Sequence, residues 1–237
     1  MSKRLFITGT GTDVGKTYVT GLILKKLHEN GLQAAYYKAA MSGNNRGSNG
    51  HLIPGDALHV KTVSGIEQPL EEMCPYLYEY AVSPHLASRL EGNPVRLEHV
   101  LQTFDDVCGR YDYVTAEGSG GICCPLCHEE ETLQLTDLIK RRNLACLLVA
   151  GGGLGAINNV VLSAAYMKAE SIPVRGIILN RFQPGHVMYE DNMRMCEALT
   201  GLKVVACVKD GDTQLEMSLE SLKSLYEEGE GNDLVSI

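Results

Sequence analysis

Residues 5–17 read LFITGTGTDVGKT, and the fold follows from how this stretch is parsed. Leu5, Phe6 and Ile7 form the short apolar run of a strand buried in a parallel sheet. A glycine-studded turn comes next, and Gly15-Lys16-Thr17 opens a segment with helical periodicity. Strand, glycine turn and helix in that order are the setting of a phosphate-binding loop. Glycines let backbone N–H groups approach phosphate oxygens, and the helix N-terminus adds free donors and a favourable dipole. In that setting Lys16 neutralises a transferring phosphate, and the Thr17 hydroxyl binds Mg²⁺. The loop is one residue longer than the common G-x-x-x-x-G-K-[ST]: Thr10 stands five before Gly15, with Gly9 one further back. A glycine turn that binds nothing is the bland alternative, and it leaves G-K-T between strand and helix unexplained. The expectation is a nucleoside triphosphate site.

Composition narrows the partners. A chain of 237 residues, 44% hydrophobic and 21% charged, suits one domain able to bury a full core. Its net charge of −8 repels nucleic acid phosphates and anionic membranes, so neither is an expected partner. No apolar leader precedes the first strand and no apolar run approaches membrane-spanning length. A cytoplasmic location is therefore expected, with the 8 cysteines as reduced thiols.

Beyond the loop, strands and helices alternate. Helices are expected at 17–30, 56–64, 83–91, 97–109, 133–142, 157–169, 187–199 and 213–226. Strands are expected at 34–38, 112–116, 144–150, 174–179 and 203–208. Residues 42–55 are polar and too long for a plain connector, 66–80 resist assignment, and the acidic tail 227–237 is expected to fray. This alternation predicts a single α/β domain over residues 1–237, a doubly wound and mostly parallel sheet with helices on both faces, of P-loop NTPase type. Ligands in such sheets sit at the carboxyl ends of the strands. Gly9–Thr17, Lys38, Glu117, Gly151–Asn158 and Asn180 all fall there and are expected to meet in one crevice.

A triphosphate with Mg²⁺ needs hard oxygen ligands besides Thr17, and Asp56 and Glu117 are the candidates. Each has an ordinary alternative: Asp56 as a helix cap, Glu117 as a solvated carboxylate, and likewise Lys38 as a surface lysine.

Taken together, TGTGTDVGKT (8–17), YYKAAMSG (36–43), Asp56, SPH (83–85), EGSGG (117–121), GLGAINN (153–159), LNRF (179–182) and Tyr189 resemble the dethiobiotin synthetase family, ATP-dependent carboxylases of biotin synthesis. The elongated loop is typical of that family. The resemblance implies a homodimer with active sites at its interface, acting on diaminopelargonic acid, CO₂ or bicarbonate, and ATP. It implies that Lys16 and Lys38 hold the γ-phosphate and the carbamate formed from the substrate, with Thr12 and Ser42 beside them. Thr17, Asp56 and Glu117 would ligate Mg²⁺. Gly9, Asp13, Val14, Gly15, Tyr18, Gly120 and Asn180 would surround the nucleotide, Asn180 at its base. The substrate carboxylate would rest at Gly155 and Asn158, near Tyr189 of the other subunit. Three departures are visible: Gly11 where an acidic or amide residue is common, Ala39 in place of a proline, and VACVKD (205–210) without the G-x-I-P segment that lines the base pocket.

Two motifs point elsewhere. Cys124-Pro125-Leu126-Cys127-His128 spells the haem attachment sequence, and Cys123 adds a thiol for a zinc reading. Gly151 to Ala156 fits the dinucleotide fingerprint, but Glu170 falls before the next strand rather than on it. Among rival functions, an ATPase switch of the partitioning or division-site type shares the architecture. It calls for a lysine where Gly11 stands and for DNA or membrane affinity, which an acidic chain lacks. A cobyrinic-acid-type amide synthetase would need a glutaminase half.

Overall fold

Leu5 and Ile7 project from one side of the first strand and Phe6 from the other, and all three are buried. That alternation, repeated along the central strands, means both faces of the sheet must be covered. The computed structural model describes residues 2–129 and 132–228. In chain order the elements are β1 (Lys3–Gly9), α1 (Lys16–Glu29), β2 (Ala34–Tyr37), β3 (Ala40–Met41), α2 (Gly55–Ser64), β4 (Tyr76–Leu77), α3 (Pro84–Leu90), α4 (Leu97–Cys108), β5 (Tyr113–Glu117), β6 (Pro125–His128), β7 (Thr132–Gln134), α5 (Leu135–Arg141), β8 (Cys146–Gly151), α6 (Ala156–Ala169), β9 (Val174–Asn180), α7 (Val187–Thr200), β10 (Val204–Val208), α8 (Leu219–Lys223) and β11 (Glu227–Glu228).

The sheet runs β10-β9-β8-β1-β5-β2, all parallel. From β1 the chain moves out to β2, returns to β5 beside β1, and then crosses to β8 on the other flank. The strand order therefore reverses at the carboxyl end of β1, where the glycine loop begins. On one face Phe6, Val114, Leu148 and Ile177 pack with Phe104 of α4, Leu138 of α5 and Val160 of α6. On the other, Leu5, Ile7, Val149 and Ile178 pack with Leu22 and Ile23 of α1 and Val60 of α2. This is the doubly wound α/β fold of P-loop NTPases. Among the described residues no helix is long and apolar enough to cross a membrane.

Three expectations change. Helix α5 begins at Leu135, because Thr132–Gln134 pairs with β6 as an antiparallel hairpin. The final helix shrinks to Leu219–Lys223. The carbonyls of Thr213 and Leu215 accept from Lys25 and Lys26 of α1 at 3.0 and 3.1 Å, so they are taken by side chains rather than by a helical ladder. Ser218 then caps α8 by accepting from the Ser221 amide. Glu227 and Glu228 do not fray but pair antiparallel with Arg4 and Lys3, on the flank that β8 leaves open before Phe6; residues 229–237 lie outside the described residues. The unassigned 66–80 stretch serves the sheet edge. Gln68 accepts from the Tyr36 amide at 2.7 Å and donates to its carbonyl at 3.0 Å, one side chain standing in for a neighbouring strand.

Candidate active site

Gly15 caps α1 with φ +90°, and a Cβ there would lie 1.9 Å from Asn180 Nδ2. No other residue fits both the backbone angle and the space. Asn180, at the end of β9, donates to the Val14 carbonyl at 3.0 Å and so holds the loop from beneath. Gly9 admits the side chains of Val14 and Lys16, since a Cβ would sit 2.8 Å from Val14. Lys16 is 6% exposed and donates to the Gly11 carbonyl at 2.9 Å, its one hydrogen bond among the described residues. Burial, and then the charge of Lys38, press its pKa down to about 8. An ammonium bonded to a single backbone carbonyl, with no carboxylate paired to it among the described residues, is open to an anion.

Lys38 has the opposite standing. It lies just past β2 and is 5% exposed, so it is no surface lysine. It donates to Asp56 Oδ2 at 2.5 Å and to Glu117 Oε1 at 2.8 Å. Burial alone would lower its pKa, but the two carboxylates outweigh this and raise it above the ordinary lysine value. Burial likewise favours the neutral form of Asp56, yet the Lys38 charge brings its pKa below the usual carboxylate range. Asp56 does not cap α2, for Pro54 holds that position. Glu117 is 1% exposed rather than solvated; its Oε1 also accepts from Thr17 at 2.8 Å, while Oε2 is buried without a hydrogen-bond partner. Thr17, Asp56 and Glu117 thus present hard oxygens around one point, one of them unsatisfied. Such a donor set fits a magnesium ion.

Thr12, Asp13, Gly15, Lys16, Thr17, Lys38, Ser42, Asp56 and Gly120 line one cleft of about 470 Å³. Ser42 donates to the Val82 carbonyl at 2.5 Å. Gly120, with φ +66°, lets its loop lie against Thr12. Tyr18 points away from the cleft, and its phenol bonds the Asp212 carbonyl. Gly155 and Asn158 line a different hollow, with Leu154, Leu162 and Leu199, so the expected single crevice is two within one chain. Tyr189 packs over the Gly152-Gly153 turn. A still larger hollow between α3, α4 and β6 is lined by Arg89, Arg96 and Leu101 and touches none of the phosphate-loop groups.

Two residues escaped the sequence reading. Arg181 lines the same cleft as Lys16 and Lys38, and its position directly after Asn180 at a strand end was the available signal. Asn192 is buried and donates to the carbonyls of Gly152 and Gly153 at 3.0 and 2.8 Å, pinning the second glycine turn; its helical position carried no such signal. The C-x-x-C-H run forms a loop and β6, with Cys123 exposed and Cys127 buried. No group of three metal-binding His, Cys, Asp or Glu side chains gathers among the described residues.

An AAA domain family model matches residues 3–214. Among solved structures, the MinC:MinD cell division complex of Aquifex aeolicus aligns with TM-score 0.54 at 14% identity, over 94% of this chain and 86% of that one. The signal recognition particle receptor FtsY from Elizabethkingia anophelis aligns with TM-score 0.53 at 12% identity, over 94% of this chain and 64% of that one. Identities this low speak to the fold alone. Sequence relatives go further. The chain is 42% identical to the ATP-dependent dethiobiotin synthetase BioD of Brachyspira hyodysenteriae over 94% of its own length and 99% of the relative's. It is 43% identical to the protein of the same name from Clostridium novyi over 92% of each. With identity of that order spanning the glycine loop, the lysine–carboxylate cluster and the sheet that carries them, the chain belongs to the dethiobiotin synthetase family.

Proposed function

We propose that the chain is an ATP- and Mg²⁺-dependent cyclo-ligase that converts 7,8-diaminopelargonic acid and CO₂ to dethiobiotin, releasing ADP and phosphate. The observation that supports it most is the pair of buried lysines in one cleft: Lys16 without a carboxylate, Lys38 between two. One substrate amine adds to CO₂ and loses a proton, giving a carbamate. A carbamate oxygen attacks the γ-phosphorus as the bond to ADP breaks, and a carbamic–phosphoric anhydride results. The second amine then attacks the carbonyl carbon, expels phosphate and closes the ureido ring.

No protein nucleophile is needed, so the residues position and neutralise. Lys16 meets the γ-phosphate, and Lys38 meets the carbamate while its charge holds the Asp56 carboxyl below the usual range. Thr12 and Ser42 orient the carbamate and phosphate from either side. Thr17, Asp56 and Glu117 hold Mg²⁺, which when bound offsets phosphate charge. Gly9, Asp13, Val14, Gly15, Gly120 and Asn180 shape the nucleotide site, and Tyr18, whose phenol is turned to Asp212, takes part only through its backbone in the first turn of α1. The substrate carboxylate rests at the N-terminus of α6, at Gly155 and Asn158 with Tyr189, contributed by a second copy of the chain. Exposed Leu154, Leu162 and Leu199 around that hollow, 95%, 62% and 56% accessible, support a homodimer packed there.

Phosphate release from Mg·ATP is the test, with diaminopelargonic acid and bicarbonate added singly and together. Release that needs both, one phosphate per ureido product, is expected. Release indifferent to both but raised by DNA or lipid vesicles would overturn the proposal in favour of an ATPase switch.

A further inference from the structure

We propose that Tyr36 is a positioning residue for the metal site: its phenol donates to Glu117 Oε2 and fixes the carboxylate that, with Thr17 and Asp56, would hold Mg²⁺. This rests on the nucleotide reading of the cleft and deepens it.

A buried phenol ordinarily finds a hydrogen-bond partner. Tyr37 donates to the Val100 carbonyl at 2.8 Å and Tyr78 to the Asn93 carbonyl at 2.6 Å. Tyr226 pairs with the Thr115 hydroxyl at 2.6 Å, and Tyr76 accepts from the Arg96 amide at 3.1 Å. Tyr36 is fully buried, and its hydroxyl has no hydrogen-bond partner among the described residues. Looseness of the strand does not account for this. Gln68 holds the Tyr36 amide and carbonyl on one edge, and Thr115 of β5 stands in register with it on the other. The ring is therefore placed by a backbone secured on both sides, in the layer that packs against α1.

The ionisable groups around the hydroxyl include Glu117, Asp56 and Cys74, and the Glu117 carboxylate is the one it approaches closely. Burial, and then the Glu117 charge, push the phenol well above its ordinary pKa, so it remains a neutral donor. Asp56 Oδ2 is already taken by Lys38, and the Cys74 thiol is turned to the Tyr76 carbonyl. On Glu117, Oε1 is shared between Thr17 and Lys38, both on the cleft wall, while Oε2 is buried with no donor. A phenol lacking an acceptor thus neighbours a carboxylate oxygen lacking a donor, and a small turn of the carboxylate joins them. Carboxylates that ligate metals are themselves held by hydrogen bonds from the protein. Lys38 follows Tyr36 by two residues and reaches the same carboxylate. One stretch of chain so offers a cation to one oxygen and a neutral donor to the other.

The test compares wild-type, Tyr36→Phe, Glu117→Gln and Tyr36→Phe/Glu117→Gln proteins. Mn²⁺, standing in for Mg²⁺, is titrated into each with a non-hydrolysable ATP analogue and followed by electron paramagnetic resonance. Thermal melts and analogue binding in EDTA run alongside. Tyr36→Phe is expected to melt within a few degrees of wild type and to bind the analogue in EDTA within about twofold, yet to hold Mn²⁺ about tenfold more weakly. The double variant is expected to hold Mn²⁺ as Glu117→Gln alone does, because the phenol acts through that carboxylate. Mn²⁺ affinity of Tyr36→Phe within about twofold of wild type, an equal loss of analogue binding in EDTA, or a further loss of about tenfold in the double variant would overturn the assignment. A wild-type protein that takes up no Mn²⁺ with the analogue would overturn the reading of the cleft, and this role with it.

Discussion

Lys16 and Lys38 are alike in sequence and opposite in circumstance, and their chemistry follows from the difference. The folded pKa of Lys16 lies near 8, below its ordinary 10.5, so between those values the unfolded chain holds more protons and stability rises with pH. At pH 7 the charged lysine therefore works against the fold. Lys16→Met is expected to stabilise the nucleotide-free protein at pH 7 by roughly 1–3 kcal/mol while abolishing turnover. A melting temperature that falls would refute the first half. Phosphate should draw the pKa back up, so ATP binding near pH 8.5 is expected to take up a proton, read by calorimetry in buffers of differing ionisation enthalpy. For Lys38 the expectation reverses. Lys38→Met leaves Glu117 buried and unpaired, costing about 3–5 kcal/mol, and lowers turnover by about 10³-fold or more. The Lys38→Met/Glu117→Gln double variant should regain stability and not activity; recovery of neither would place the lysine's role elsewhere. Lys16 could be placed in the cleft from its glycine loop, whereas Lys38 at a strand end read equally as a surface lysine until the family resemblance singled it out. Which carboxylates held Lys38 was not legible, because Asp56 and Glu117 reach it only once α2 and β5 have packed.

At the scale of elements, strand and helix periodicity located the parallel sheet and its principal helices. It failed where tertiary bonds outcompete local preference. Residues 213–217 have helical composition but give carbonyls to Lys25 and Lys26. Leu133 and Gln134 read as the start of a helix but pair with β6. Ser83 stands at the cap position of α3 with Pro84 behind it, although its side chain makes no capping bond. The glycine turns obey stricter geometry. Gly15→Ala meets both the left-handed backbone and Asn180, so loss of nucleotide binding and a drop of several kcal/mol, about 2–4, are expected. Asn192→Ala frees the turn between β8 and α6: the Gly152 carbonyl loses its side-chain donor, while that of Gly153 keeps only the Ala156 amide. A loss of about 2–3 kcal/mol is expected by urea melt. If the turn serves the substrate carboxylate, the Michaelis constant for diaminopelargonic acid should rise while that for ATP holds.

For the whole molecule, the two hollows matter together. The phosphate cleft lies at the carboxyl ends of β1, β2 and β5, and the Gly155 hollow on the flank formed by α6 and α7. A second copy packed on that flank would bring a carboxylate nest to the cleft. Leu162→Asp/Leu199→Asp is expected to sediment as a monomer that still binds ATP but makes no dethiobiotin; a fully active monomer would show the cleft is complete alone. Single-chain residues could not reveal this, since Asn158 and Tyr189 complete a site only in the assembly proposed. The strand order carries another consequence. β1 is synthesised first, yet its neighbours arrive at residues 113, 146 and 227. On the ribosome the phosphate loop must therefore leave the exit tunnel long before the sheet that rigidifies it. A nascent chain halted at residue 150 should hold α1, β2 and β5 without the β9 asparagine beneath the loop, and so emerge unable to retain ATP.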